Sequence, residues 1–348
     1  MFGRVCSPLV ASMPATWTGL HSSLNSTNTK RCVARKRWAT FAFAGWALTA
    51  SSPVVALGDA MGCPGPEPAG GMATTFSSDF TEATSLDPKQ WAPFSGKSLG
   101  DPVLEAQTYA PSQVAIAGSA GLRLSIVQHP GQERPFLAGA VTTKDRFSQA
   151  YGHFEMMARM PQANGIWPAF WLLPAAGGWP PEIDVIEYIY APNGVVPADS
   201  ASAAENWRAS NPATTLHWGS ISQHQQTAPG VNSPIAQPRT YADWNRTPPP
   251  PGWSEKYRGY HIYSVDWRPG SVAWHIDGRA VFCARDTAAT GPRVPATPMF
   301  MLLNLAVSAG TKSRPLWPGF VDTDTPWPQT MDVAYVRVMQ FNDLKTAP

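Results

Sequence analysis

From Phe76 onward the chain is a succession of short apolar-rich runs separated by turn residues. The runs "QVAIAG", "LRLSIV", "GAVTTK", "HFEMMARM", "IWPAFWLL", "IDVIEYIY", "TTLHWGS", "HIYSVDWR", "VAWHIDG", "AVFCAR", "MFMLLNLAV" and "VAYVRVMQF" are rich in β-branched and aromatic side chains. A dozen such runs, with few helical patterns between them, predict an all-β sandwich or barrel. No repeat period is visible. Residues 191–256 break the rhythm. There "PADSASAAENWRAS" fits a short helix and "TPPPPG" is barred from a sheet interior, so this stretch is expected to be a long loop excursion holding one strand around Thr214–Gly219.

One run carries a pattern that a plain strand does not explain. In "PPEIDVIEYIY" (residues 180–190), Glu182 and Asp184 share a face by the period-two rule, whereas Glu187 falls on the other. A β-bulge at Val185 or Ile186 adds one residue to this strand and returns Glu187 to the face of the other two acids. Three neighbouring carboxylates do not stabilise a sheet, because like charges raise one another's pKa. What they can do is cleave a glycosidic bond, which needs one ionised nucleophile and one protonated acid. Four strand steps separate the Glu182 and Glu187 Cα atoms by about 13 Å, and side chains leaning together bring the carboxyls near the roughly 5–5.5 Å of retaining enzymes. Asp184 stands between them, within reach of either. The plainer alternative is that Glu187 faces solvent or an ion pair.

Aromatic residues flank this acid strip. In "GIWPAFWLLP", Trp167 and Trp171 lie on one strand face, and Trp179 follows in "GGWPPEID". Rigid aromatic planes pack well on the apolar faces of sugars, so the three outline a sugar-binding cleft; the alternative for each is a place in the core.

Composition and charge narrow the setting. Charged residues are only 14% of the 348, while Pro (36), Gly (28) and Trp (15) are abundant, as suits a turn-rich β protein. The first 56 residues hold six basic residues (Arg4, Lys30, Arg31, Arg35, Lys36, Arg37) and no acid. The basic "KRCVARKRW", the uncharged "ATFAFAGWALTA" and the small residues of "SSPVVA" predict a secretory signal cleaved near Ala56. An uncleaved anchor over residues 39–57 is the alternative. Without residues 1–56 the chain keeps 20 basic and 24 acidic residues, a net charge of about −4, so nucleic acid is not an expected partner. Residues 57–75, rich in Gly, Pro and Ala, are expected to be a linker. Cys63 and Cys283 remain after cleavage, and an oxidising compartment allows them to pair. No Cys/His metal spacing, phosphate loop or GxSxG elbow occurs, and no cofactor is expected.

The ordered motifs resemble glycoside hydrolase family 16, the clan of laminarinases, lichenases, agarases and carrageenases. They run from "FSSDF" through "YGHFEMMARMP", "GIWPAFWLLP", "EIDVIE", "HIYSVDWRPGSVAWHIDG" and "FMLLNLAV" to "WPQTMDVAYVRVMQ". The resemblance implies a catalytic domain over residues 76–348, folded as a β-jelly-roll of two curved antiparallel sheets with a glycan cleft on the concave face. It implies Glu182 as nucleophile, Glu187 as acid/base, Asp184 as assisting acid and His217 near the cleft. The six-residue, bulged form of the motif is similar to the laminarinase and galactanase branches. Three positions depart from the family pattern: Gln113 stands where Asn is frequent near the donor subsites, Met157 where Arg is common, and Ala334 where an Asp often binds a structural calcium. Asp79 alone makes a poor oxygen cage and Asp332 is placed on the opposite face from its neighbour Val333, so no metal is expected there.

These readings converge on a secreted protein, extracellular or periplasmic, that acts as a monomeric retaining endo-hydrolase on a β-linked polysaccharide, foremost a β-1,3-glucan. A transglycosylase of the same fold and a non-catalytic glycan-binding protein are the alternatives. Stable membrane association is not expected once the signal is removed.

Overall fold

The computed structural model describes residues 71–161, 163–189, 211–219, 254–286, 293–314, 316 and 318–344. All twelve runs picked out by pattern lie on strands, and the described residues hold four further strands. In chain order these are β1 (Met72–Asp79), β2 (Ala92–Pro93), β3 (Gln107–Tyr109), β4 (Val114–Ile116), β5 (Leu122–Gln128), β6 (Phe136–Ala138), β7 (Ala140–Thr142) and β8 (Gly152–Arg159). They continue as β9 (Ile166–Pro174), β10 (Glu182–Ile189), β11 (Asn211–His217), β12 (His261–Arg268), β13 (Ser271–Ile276), β14 (Arg279–Arg285), β15 (Met299–Val307) and β16 (Gln329–Phe341). One sheet has ten strands along the path β14-β13-β12-β8-β16-β5-β6-β3, with β1 joined to β16 and β4 to β5; the other has six, in the order β11-β10-β9-β15-β7-β2. Pairing is antiparallel throughout except between β3 and β6. Consecutive strands repeatedly cross from one sheet to the other, as a jelly-roll requires, so the expected fold class holds.

The alternation of side chains explains why the sheets stack. On β5, Leu122, Leu124 and Ile126 are fully buried while Arg123 and Ser125 are half-exposed. On β9, Ile166, Phe170 and Leu172 face the core, and on β15 Met301, Leu303, Leu305 and Val307 do the same. Both sheets contribute to this single apolar cluster, which also holds the fully buried Trp91, Trp267 and Trp274. Burying such side chains is worth about 1.5–3 kcal/mol each, and the aromatics bury the most.

Two expectations are corrected or clarified here. The linker drawn over 57–75 is too long, because residues 72–75 are strand: Met72 pairs with Phe341 and Thr74 with Met339. β16 runs past the end of β5, and its free edge needs a partner for its backbone groups, which β1 supplies. Residues 57–70 of that linker, the leader 1–56, and residues 191–210 and 220–253 of the loop excursion lie outside the described residues; its strand is β11. Cys283 is disulfide-bonded, and Cys63 lies outside the described residues.

At the position considered for calcium, Asp332 is 1% exposed and its carboxylate is already taken. Arg123 grips it through Nε (2.6 Å) and an Nη (3.0 Å), and Arg159 adds a third bond at 2.7 Å. Asp332 lies directly across the ladder from both arginines. A carboxylate buried to this degree needs such partners, since without them desolvation costs several kcal/mol. The Ala334 carbonyl accepts the Phe80 N–H, and Asp79 caps Thr81. Gln113 closes a short 3-10 turn and does not line the cleft that holds the three acids.

Candidate active site

On the outer face of the six-stranded sheet lies a cleft of about 740 Å³. The alternation that sends Ile166, Phe170 and Leu172 into the core sends Trp167, Ala169, Trp171 and Leu173 of β9 to the cleft. Asn304 and Ala306 of β15 and His217 of β11 join them by the same rule, and Leu99, Gly100, Asp101, Leu104 and Glu105 form one wall.

The acids reach this face through a bulge. Against β9, Ile183 pairs with Leu172 and Asp184 with Trp171, but Ile186 pairs with Phe170 and Glu187 with Ala169, leaving Val185 as the extra residue. The same slip occurs against β11 between Asp184 and Glu187. Beyond it, Glu187 stands with Glu182 and Asp184 in the cleft, while Ile183, Val185, Ile186 and Tyr188 stay in the core. In an unbulged strand the Glu187 carboxylate would enter that core.

Each carboxyl has its own partners. Trp179 Nε1 donates to Glu182 Oε2 at 2.9 Å, and His217 Nε2 lies 3.1 Å from Asp184 Oδ2 and 3.5 Å from Glu182 Oε1. Asp184 also shares a hydrogen bond with Glu182. Glu187 accepts from Trp167 Nε1 at 3.1 Å and from Thr215 Oγ1 at 3.3 Å. Burial pushes Glu187 up to about 7, helped by the charge of Glu182. Burial likewise pushes Glu182 and Asp184 well above the ordinary carboxyl range, with Asp184 beside Glu182 and Glu187 beside Asp184 adding to it. The three therefore share protons rather than carrying three charges. The hydrogen bond between them raises Glu182 and lowers Asp184, so before substrate arrives the Glu182 side of the pair holds the proton. The Trp179 indole N–H and His217 pull the Glu182 carboxyl the other way, toward its charged form.

The aromatic expectations resolve differently from one another. Trp179 is 38% exposed on the rim, with its ring 5.7 Å from that of His217. Trp167 is half-exposed beside Glu187. Trp171 lines the cleft floor but is only 7% exposed and packs with Ala169, Phe300 and Leu302, so it belongs as much to the layer beneath the cleft as to its surface. Its Nε1 donates to Asn304 Oδ1 at 2.8 Å, and Asn304 Nδ2 donates to Tyr109 OH at 3.0 Å. Glu105, buried on the wall, accepts from Ser98 Oγ and from Gly100 N. Sequence reasoning passed over Asn304, Thr215 and Glu105. The only signal available for Asn304 was a lone polar residue in "MFMLLNLAV".

Glu182, Asp184 and His217 present donor atoms within 4.8 Å of one another, a spacing that a divalent cation accepts. Those atoms are already engaged: His217 Nε2 faces Asp184, and the second Glu182 oxygen receives the Trp179 N–H. An indole N–H aimed at a carboxylate suits an anion or a shared proton better than a metal ligand. No helix among the described residues is long and apolar enough to cross a membrane.

A family model described as "Glycosyl hydrolases family 16" matches residues 106–247 and 240–324. An endo-1,3-1,4-beta-glycanase of Rhizobium meliloti (strain 1021) is 32% identical over 259 residues, covering 68% of this chain and 46% of its own length. Glucan endo-1,3-beta-glucosidase A1 of Niallia circulans is 25% identical over 295 residues, covering 77% of this chain and 38% of its own length. The chain thus spans less than half the length of these two relatives. Among solved structures, the laminarinase catalytic domain of Thermotoga maritima MSB8 superposes with a TM-score of 0.54 at 23% identity, covering 77% of this chain and 98% of that one. The endo-beta-1,3-glucanase of Pyrococcus furiosus gives 0.56 at 22% identity, covering 78% and 95%. At these identities the structural likeness is one of fold.

Proposed function

The chain belongs to glycosyl hydrolase family 16, and from that premise we propose that it is a retaining endo-β-glucanase cutting internal β-1,3 linkages. The observation that carries this reading is the bulged acid strip: Glu182, Asp184 and Glu187 on one face of β10, in a cleft walled by tryptophans. Glu182 attacks the anomeric carbon as nucleophile, and Glu187, holding a proton up to about pH 7, gives it to the departing glycosidic oxygen. Once the leaving sugar has gone, the Glu187 carboxylate takes a proton from water, whose oxygen then displaces Glu182. As Glu182 ionises to attack, its proton passes across their hydrogen bond to Asp184, which keeps it and donates that hydrogen bond back to the nucleophile's carboxylate. Trp167 and Trp179 anchor the two glutamates and offer apolar planes to sugar rings. One relative is named an endo-1,3-1,4-beta-glycanase and another a glucan endo-1,3-beta-glucosidase, which supports a β-glucan substrate. The basic, then apolar, run within residues 30–56 supports export.

Incubation with a panel of β-1,3-glucan, mixed-linkage glucan and galactans, followed by product sizing, tests the substrate. Oligosaccharides released early from β-1,3-glucan, with a rapid fall in polymer length, are expected, with galactans second. Degradation of mixed-linkage glucan alone would contradict the β-1,3 assignment. Products longer than the starting chains would mark a transglycosylase instead.

A further inference from the structure

Trp274 Nε1, on β13 of the ten-stranded sheet, donates to the main-chain oxygen of Asp184 at 2.8 Å. Trp274 is fully buried and crosses the core to reach the other sheet at one particular place: the last residue before the register of β10 slips. The Asp184 carbonyl belongs to the planar peptide unit that leads into Val185, the residue that β9 leaves unpaired. Bulges interrupt the ladder locally, so the peptide there is less firmly held by its own sheet than its neighbours are. Sliding the strand back by one residue would exchange the faces of everything beyond it. Glu187 would then leave the cleft, and core side chains such as Ile186 and Tyr188 would be displaced.

We propose that Trp274 is a positioning residue for the glycosidase reaction, its indole N–H locking the bulge of β10 from the opposite sheet so that Glu187 faces the cleft beside Glu182. It touches no reacting atom and acts only through the backbone. This rests on the assignment of Glu182 and Glu187 as nucleophile and acid/base.

The fold supplies a matched control. Trp267, on neighbouring β12, is equally buried and donates through Nε1 to the Pro295 carbonyl at 2.9 Å, away from the bulge. Trp274→Phe and Trp267→Phe thus remove the same kind of indole-to-carbonyl bond from the same layer of the core. Both full-length variants are assayed on laminarin, a β-1,3-glucan, for kcat, KM and pH profile, beside thermal melting. Trp274→Phe is expected to lower kcat by about ten- to a hundredfold, since misplacing a catalytic group by about 1 Å costs up to 10²-fold. Its alkaline limb moves to lower pH, because Glu187 drifts from the charge of Glu182 that helps to hold its proton. Trp267→Phe loses comparable melting temperature but keeps kcat and the limb. Equal kcat and equal limbs in the two folded variants would overturn the proposal. If Trp274→Phe does not fold, Trp274→Tyr and Trp267→Tyr are compared in its place, the shorter phenol holding the carbonyl imperfectly. A limb shift confined to Trp274→Tyr then supports the proposal, and its absence overturns it. Glu182→Ala and Glu187→Ala, run alongside, separate the two levels: activity persisting in them removes the premise, whatever Trp274 does.

Discussion

Glu182→Ala is expected to abolish hydrolysis of β-glucan, with a loss on the order of 10⁴-fold or more, because no covalent intermediate forms without the nucleophile. The loss should be the same on polysaccharide and on an aryl β-glycoside with an activated leaving group, since the missing step precedes any effect of the leaving group. Folding should survive. Burial pushes the Glu182 carboxyl well above its ordinary range, so replacing it removes a group that the folded protein holds at a cost. Added azide should enter the vacated space and give the α-glycosyl azide. Full activity of this variant on polysaccharide, measured as reducing ends released, would remove Glu182 from the mechanism.

Glu187→Ala is expected to behave differently because it keeps the nucleophile and loses only the proton donor. Turnover of polysaccharide should fall by on the order of 10²–10⁴-fold, the usual worth of general acid catalysis. An activated aryl glycoside, whose leaving group needs no proton, should still form the intermediate, and azide should then collect it as the β-glycosyl azide. The wild-type pH profile should carry the same signature. Glu187 works as an acid only while protonated, so activity should fall as pH rises through about 7. The acidic limb follows ionisation of the Glu182–Asp184 pair, and since burial raises both, it should lie above the ordinary glutamate range. A Glu187→Ala variant that retains the alkaline limb on the activated substrate would assign that limb to another group.

The parts of the site that local chemistry determines were visible in the sequence. Glu182, Asp184 and Glu187 betray themselves because three acids in an apolar strand break the period-two rule, and a one-residue bulge at Val185 is the smallest repair. The strands around them follow from β-branched and aromatic alternation, which survives because one face of each is buried. Trp171 shows where pattern stops: period two puts it on the cleft face correctly, yet Phe300 and Leu302 of a strand far along the chain decide how little of it is exposed. The contacts furthest from view in the sequence join residues far apart along the chain. Asn304 meets Tyr109 across 195 residues, and Trp274 reaches Asp184 across 90. Nothing local names the partner in either pair, because the contact forms only when the second sheet closes over the first. The domain start was drawn four residues late for a related reason: what makes 72–75 strand is the length of β16, not anything in "MATT" itself.

The central claim, that Glu182 is the nucleophile of a retaining glycosidase and Glu187 its acid/base, is tested most directly by trapping the intermediate. A β-glucan oligosaccharide bearing a 2-fluoro group and an activated leaving group slows release of the glycosyl-enzyme more than its formation, so the sugar accumulates on the protein. Proteolysis and mass spectrometry then locate the added mass. The account predicts a single modified residue, Glu182, with Glu187 unmodified in the same digest. A sugar found on Glu187, or no adduct together with release of α-configured product, would contradict it.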